Sequence, residues 1–242
     1  MKGIILAGGS GSRLYPLTRA VNKHLLPVGR YPMLYHPLYK LWESGIRDIL
    51  IISGREHAGS LAALLGSGAG LGLKLTYKIQ ESAGGIAQAL GLAEDFAGGG
   101  RCVAILGDNI FEDSLAPYIE AYSKQDKGAR ILLKSVKDPR PFGVAAFEGD
   151  RLASIVEKPQ VPPSQYIVTG IYMYDSSVFD IIRTLRPSAR GELEITDVNN
   201  SYLKNKALSY DILRGWWTDA GTFDTLALAN ELAADIRLFP GM

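Results

Sequence analysis

A single cysteine, Cys102, has no partner in the chain for a disulfide, which fits a reducing compartment. The three histidines, His24, His36 and His57, show no zinc-ligand spacing, and one cysteine does not complete such a set. Charge of one sign is also lacking. Against 26 basic side chains stand 25 acidic ones, so no overall basic field exists of the kind that holds proteins on nucleic acid or anionic lipid. Long hydrophobic runs are missing too. After Met-Lys, the apolar stretch Ile4-Ile5-Leu6-Ala7 gives way at once to glycine, too short for a signal-peptide core. No later run approaches the roughly 20 residues of a membrane span. The nucleophile elbow G-x-S-x-G is absent, and Cys102 sits inside an apolar run that would keep its thiol inert. These absences leave a cytoplasmic globular protein, with no nucleic acid and no membrane as partner.

What is present is a core. With 47% apolar and 21% charged residues, the chain has enough to bury and is not a disordered polyelectrolyte. Short apolar runs alternate with helical patterns, the mark of parallel strands joined by crossover helices, and predict a single α/β domain. Strands are expected at Gly3–Ala7, Ile49–Ser53, Leu73–Ile79 and Cys102–Leu106. Others are expected near 131–136, 143–147, 154–156, 168–174 and 208–213. Helices are expected over 32–44, with Pro37 as a possible kink, and over 57–65, 85–96 and 114–125. Further helices are expected over 177–185, 195–204 and 223–238.

The strongest chemical signal follows the first strand: Leu6-Ala7-Gly8-Gly9-Ser10-Gly11-Ser12-Arg13. Glycines let a backbone approach phosphate closely, successive N–H groups form an anion nest, and Arg13 adds a forked donor. The Walker pattern is not there, since no lysine follows Gly11. The dinucleotide fingerprint fails at Leu14. A plain glycine turn is the alternative. Lys23, before Leu25-Leu26-Pro27-Val28, is either a surface lysine or a cation set beside that loop. Asp108 ends a buried strand, where open α/β sheets bind ligands, and carboxylates there often hold Mg²⁺ with substrate phosphates. A simple Gly-Asp-Asn turn is the competing explanation. Asp219 resembles it, but 111 positions separate the two, and spacing does not say that they meet. Glu157-Lys158-Pro159 and the run from Arg190 to Glu194 are either solvated clusters or contacts for a phosphorylated, hydroxyl-rich ligand.

Together these residues resemble the sugar nucleotidyltransferases, and within them the glucose-1-phosphate thymidylyltransferases. The resemblance rests on Gly8 to Thr18, Lys23 to Val28, Gln80 with Gly85-Ile86-Ala87-Gln88-Ala89, and Leu106-Gly107-Asp108-Asn109-Ile110-Phe111. It continues through Glu157-Lys158-Pro159, Val168 to Tyr172, Ser188 to Asp197 and Asp219-Ala220-Gly221-Thr222. It implies a Rossmann-like nucleotidyltransferase fold with a mixed, mostly parallel central sheet flanked by helices. Residues 1–110 would mainly bind nucleotide, 111–222 mainly sugar phosphate, and 223–242 would form a short C-terminal helix. The implied reaction joins dTTP to glucose 1-phosphate, with Mg²⁺ as cofactor, and feeds dTDP-deoxysugars such as dTDP-rhamnose. Carried over by motif, Arg13, Lys23, Asp108, Lys158 and Asp219 would be catalytic, with Asp108 and Asp219 on the metal. Leu6, Gly8, Gly9, Ser10, Gly11, Ser12, Arg13, Gln80, Gly85 and Asp108 would hold the nucleotide. Asn109, Gly143, Glu157, Lys158, Thr169 and Arg190 would hold the sugar phosphate.

The chain departs from the family pattern at Ala83-Gly84-Gly85, where Pro-Asp often precedes the glycine, and at Phe142, where Tyr is common. UTP is the alternative nucleotide, because thymine and uracil differ by one methyl. A non-catalytic nucleotide-sugar-binding regulator is the alternative from another class, although the full catalytic set is present. Longer members carry additional C-terminal residues. The resemblance therefore implies a homo-oligomer smaller than their tetramer, with feedback inhibition by dTDP-sugars altered or absent.

Overall fold

The computed structural model describes residues 1–240. Two compact units share the chain: Met1–Ala83, Ile105–Ala116 and the residues from Gly215 on form the first, and Gly84–Ala104 with Pro117–Arg214 the second.

In the first unit, strands Lys2–Ala7, Asp48–Gly54 and Lys74–Gln80 pair in parallel, with Ile5 opposite Ile51 and Ile51 opposite Tyr77. Ile4, Ile5 and all four residues of Ile49–Ile52 are buried, as continuous apolar runs require in strands covered on both faces. Lys74–Gln80 is the last strand in the order and alternates between exposed and buried residues at its start, so only one of its faces is fully covered. Helix Tyr35–Glu43 lies close on this sheet: a Cβ at Gly3 would stand 2.8 Å from Leu41 Cδ1. That helix starts three residues later than the sequence pattern predicts, because Tyr31-Pro32 pairs with Pro27-Val28 in a small hairpin. Pro37 falls in the first helical turn, where a backbone N–H has no intrahelical acceptor, so the expected kink does not arise.

A separate two-stranded ladder pairs Asn109–Phe111 with Trp217–Asp219, placing Asn109 opposite Asp219. Neither strand is apparent from periodicity, since each has three residues. Helix Phe223–Leu232 follows at once, capped by Thr222 and Thr225, whose hydroxyls and backbone N–H groups bond reciprocally. It ends at Leu232, six residues short of the predicted Leu238. The chain instead turns back to bury Leu238 and Phe239, the latter with φ 47°. The Phe239 ring lies edge-on 5.5 Å from Tyr39 and 5.6 Å from Trp42, on the helix Tyr35–Glu43. Burying two large side chains outweighs six more residues of exposed helix.

The second unit is mostly antiparallel. Gly143–Glu148 and Arg151–Glu157 form a hairpin, and Tyr166–Tyr174 pairs with Ala129–Ser135 across an irregularity between Val168 and Tyr172. Leu208–Ile212 joins Ala129–Ser135 in parallel. Tyr172 and Tyr174 are buried, as a core position demands. Ile195–Lys204 is helical over the predicted residues. The single helix expected over 85–96 is two, Ile86–Gly91 and Glu94–Ala97, with the break directly after a glycine. Helix Ala116–Ser123 starts two residues later than expected, with the Ser114 hydroxyl accepting from Ala116 N at 3.3 Å ahead of it. The fold is thus α/β with a mixed sheet flanked by helices, and among the described residues no helix is long and apolar enough to cross a membrane.

Phe239→Ala removes the aromatic contacts that fold the chain end back onto Tyr35–Glu43. It should destabilise the protein by about 3 kcal/mol, read by urea denaturation. A loss below about 0.5 kcal/mol would show that this packing is dispensable.

Candidate active site

The glycine loop leaves the end of strand Lys2–Ala7 and closes into a 3₁₀ turn, Ser12–Leu14. Gly9 (φ 89°) and Gly11 (φ 63°) adopt left-handed conformations that favour glycine. At Gly11 space is short as well: a Cβ would meet Thr18 Cγ2 at 2.9 Å and Lys23 Cβ at 3.3 Å. Thr18 fastens the loop by donating from its hydroxyl to Gly11 O at 2.8 Å, and Leu14 anchors it in the core. Leu6 is buried in the strand itself, its carbonyl accepting from Gly107 N at 2.9 Å. A Cβ on Gly8 would stand 2.7 Å from Gln80 Oε1, so the expected nucleotide residues Gly8 and Gln80 meet.

Asp108 follows Gly107 at the end of Cys102–Leu106. Lys23 Nζ lies 2.5 Å from its Oδ2, in a pair whose side chains are only 13% and 12% exposed. Asn109 Nδ2 donates to the other oxygen, Oδ1, at 3.2 Å, and Trp217 Nε1 donates to Asn109 Oδ1 at 2.8 Å. The short ladder then brings Asp219 across from Asn109, with Ala220 N donating to Asp108 O at 2.9 Å. Arg13 reaches the same place. A Cβ on Gly221 would stand 2.7 Å from Arg13 Nη2 and 3.1 Å from Asp219 Oδ2. Arg13, Lys23, Asp108, Asn109 and Asp219, drawn from four separate stretches of sequence, therefore converge within the first unit.

The two carboxyls differ in character. Burial works against ionising Asp108, but Lys23, His24 and the hydrogen bonds of Lys23 and Asn109 overcome it and hold the group below the usual carboxylate range. Asp219 is raised to about 6 by burial and by the negative charge of Asp108, with Arg13 and Lys23 offsetting only part of this. His24 is lowered to about 3, by burial and by neighbouring Lys23 against the pull of Asp108, and is neutral. Among the described residues no group of three or more His, Cys, Asp or Glu side chains is placed to hold a metal ion. Two carboxylates with incomplete cationic compensation suit Mg²⁺, which takes one or two protein oxygens and completes its shell with water and phosphate.

In the second unit, Glu157 and Lys158 close strand Arg151–Glu157, with Lys158 at φ 42° and its N–H donating to Phe142 O at 2.9 Å. Arg190 Nη2 stands 3.2 Å from Glu157, 3.4 Å from Glu192 and 2.8 Å from Glu194, and Lys158 Nζ stands 3.7 Å from Glu157. Thr196 donates to the second oxygen of Glu157, and a Cβ on Gly143 would lie 3.0 Å from that hydroxyl. Gly143, Glu157, Lys158 and Arg190 are thus brought together. Thr169 is tied elsewhere, its hydroxyl donating to Leu132 O at 2.8 Å inside the sheet. Gly85 packs on the Arg190–Glu194 run: its Cβ would stand 2.5 Å from Leu193 O, and Leu193 N donates to Gly84 O at 2.8 Å.

The sequence reading missed Trp217, Glu194 and Thr196, which orient the named residues, and Asn22, whose side chain accepts from His24. An Asn two positions before a buried turn residue is a recognisable capping signal. Trp217 and Thr196 carry none, while Glu194 stands four residues after Arg190, the spacing of a local ion pair.

Comparison with known proteins places these residues in context. The nucleotidyl transferase family model matches residues 2–235. A glucose-1-phosphate thymidylyltransferase of Neisseria meningitidis is 48% identical over 241 residues, which cover 98% of this chain and 84% of that protein. That of Mycolicibacterium smegmatis is 44% identical over 246 residues, covering 100% of this chain and 85% of the relative. A crystal structure of a Bacillus anthracis protein assigned as a glucose-1-phosphate thymidylyltransferase, in complex with sucrose, superposes with a TM-score of 0.96 at 59% identity. It covers 99% of this chain and 98% of that one. A UDP-glucose pyrophosphorylase complexed with UDP-glucose shares the fold, with a TM-score of 0.84 at 21% identity over 98% of this chain and 99% of that one.

The carboxyl asymmetry has opposite consequences for stability. Asp219 is raised in the folded state, so its ionisation costs stability as pH climbs from about 3.8 through about 6. Asp219→Asn should therefore stabilise the protein by about 1–3 kcal/mol at pH 8, a gain that disappears near pH 4. Asp108 is lowered, so its contribution is present above its unfolded value and lost in acid. Asp108→Asn should destabilise by about 3 kcal/mol at pH 8 by stranding Lys23. Urea denaturation at the two pH values checks both signs.

Proposed function

The chain belongs to the nucleotidyl transferase family, and from that premise we propose that it joins dTTP to glucose 1-phosphate, giving dTDP-glucose and pyrophosphate. One observation carries the reading beyond membership. Arg13, Lys23, Asp108 and Asp219 converge beside the glycine loop at the ends of parallel strands, with Lys23 Nζ 2.5 Å from Asp108. Such a gathering of cations, carboxylates and a glycine loop supports a role in handling phosphates.

The chemistry is a displacement at phosphorus. A phosphate oxygen of glucose 1-phosphate attacks the α-phosphorus of the nucleotide, the new P–O bond forms in line, and the bond to the β-phosphate oxygen breaks. Pyrophosphate leaves with that electron pair, and no side chain is modified. Alignment and charge neutralisation do the catalytic work. The N–H groups of the loop Gly8-Gly9-Ser10-Gly11-Ser12 face the triphosphate, and Arg13 neutralises the departing pyrophosphate. Lys23 adds charge on the same side. Asp108 and Asp219 would hold Mg²⁺, which when bound screens the phosphates from one another. Lys158 and Arg190 take the sugar phosphate, Asn109, Gly143 and Glu157 are assigned to the hexose, and Gln80 and Gly85 to the base edge. Thr169 contributes through the backbone it fastens rather than through its bonded hydroxyl.

A methyl contact discriminates by only about 1–3 kcal/mol, so UTP is a second, poorer substrate. The enzyme works in the cytoplasm as a homo-oligomer, and its product supplies dTDP-deoxysugar synthesis such as that of dTDP-rhamnose.

The test crosses each nucleoside triphosphate with several hexose 1-phosphates in a pyrophosphate-release assay with Mg²⁺. dTTP with glucose 1-phosphate should be the best pair, and release with no pair would favour a binding protein without catalysis. In that assay Asp108→Asn and Asp219→Asn should each slow turnover by on the order of 100-fold. Near-normal turnover in both would remove the metal assignment. Lys158→Ala should chiefly raise KM for the sugar phosphate, and a change confined to the nucleotide KM would contradict its role.

A further inference from the structure

Lys23 reaches Asp108 from a short turn, and that turn is held by a residue outside the phosphate-handling set. Asn22 Oδ1 accepts twice from His24: from its backbone N–H at 2.7 Å and from its ring Nδ1 at 2.9 Å. The two bonds straddle Lys23 and close the 3₁₀ turn Lys23–Leu25 around it. The backbone on the far side is fixed as well, by Leu26 N donating to Lys23 O at 3.1 Å and Leu34 N donating to His24 O at 3.0 Å. Asn22 and His24 are 3% and 1% exposed, so neither is offered to a ligand.

The imidazole also touches the other half of the ion pair. A Cβ on Gly107 would stand 2.7 Å from His24 Cδ2 and 3.0 Å from Nε2, and Gly107 immediately precedes Asp108. The ring is therefore a wedge between the turn that carries Lys23 and the strand end that carries Asp108. Because Asn22 Oδ1 can only accept, the hydrogen sits on Nδ1.

We propose that His24, locked by Asn22, is a positioning residue that sets the Lys23 ammonium against Asp108, and so against the departing pyrophosphate, without itself touching substrate. The inference rests on the reading of Lys23 as a phosphate-neutralising cation. It explains why a lysine side chain with four rotatable bonds is held to one placement in a cleft where about 1 Å of misplacement costs on the order of 100-fold in rate.

Two measurements test it. In the pyrophosphate-release assay, His24→Ala should lower kcat by on the order of 100-fold, with KM for glucose 1-phosphate little changed. His24→Asn, whose amide N–H stands where Nδ1 stood, should recover most of the loss. If the effect passes through Lys23, adding His24→Ala to Lys23→Met should cost nothing further. Acetylation by a small amine-reactive ester, followed by mass spectrometry, reads the positioning without activity. Lys23 should react about 10-fold faster in His24→Ala than in the wild type, near the wild-type rate in His24→Asn, and Lys40 should react equally in all three. Should His24→Ala not fold, Asn22→Ala against Asn22→Asp, which keeps the accepting oxygen, makes the same comparison. Additive losses in the double variant, no rescue by His24→Asn, or an unchanged Lys23 rate would overturn the proposal. A wild type that releases pyrophosphate with no substrate pair removes the functional reading instead, and the acetylation rates then decide the positioning alone.

Discussion

Asp108 and Asp219 repel one another, yet the ladder between Asn109–Phe111 and Trp217–Asp219 fixes them on adjacent strands. Three residues a side would not hold such a ladder in water alone. Here the flanking pieces hold it. Ile110 and Ala220 sit in a cluster with Leu14, Val28, Met33, Leu226 and Ala229, so each arm of the ladder is anchored in the same apolar core. Gly215 N donates to Asp113 Oδ1 at 2.6 Å and Trp216 N to Glu112 at 3.1 Å, which extends the pairing beyond the strands themselves. Register then does the rest, because Asn109 opposite Asp219 leaves Asp108 one step away. The cost of placing like charges together is met by packing at a distance, as is usual where function requires strain.

The unequal carboxyls follow from that arrangement. Lys23 is committed to Asp108 at 2.5 Å, and only partial compensation remains for Asp219. With both carboxyls ionised, Arg13 and Lys23 balance Asp108 and Asp219 in number, but the compensation is uneven and Asp219 has the smaller share of it. The second unit shows the opposite economy. Arg190 faces Glu157, Glu192 and Glu194, so its cation is over-supplied with carboxylates and is held in a fixed direction until an anion competes for it. Glu157 is in turn divided between Arg190 and Thr196. The first unit thus holds an under-compensated carboxylate, and the second a guanidinium restrained by carboxylates.

How much of this was legible in the sequence depended on range. Buried parallel strands were legible because their apolar runs are continuous and bounded by glycine or polar residues, and Cys102–Leu106 has the predicted limits, as has the helix Ile195–Lys204. The glycine loop was legible because its chemistry is local. The short ladder was not, since three residues carry no period, and without it the meeting of Asp108 with Asp219 has no sequence signal. The last helix was overrun because Ala233 to Leu238 continues a plausible helical pattern. Only the aromatic face of Tyr35, Tyr39 and Trp42, nearly 200 positions earlier, explains why Phe239 turns away. The role of Thr196 was equally hidden, because it meets its partner Glu157 only in the folded chain.

Absent side chains shape the centre as much as those present. Gly107 leaves the space that the His24 ring fills, and Gly221 leaves the space into which Arg13 and Asp219 reach. Neither has a positive φ, so backbone freedom is not the reason for glycine at either position. The reason is close approach: one missing methyl lets a buried imidazole lie against the strand end, and another lets a guanidinium stand beside a buried carboxylate. Had Gly221 carried a Cβ, Arg13 would have to withdraw, and Asp219 would lose the principal charge opposing its repulsion by Asp108. The carboxyl would then hold its proton to still higher pH, and a protonated Asp219 is a poor ligand for a cation. The space left at Gly221 thus governs how far the second carboxylate is ionised.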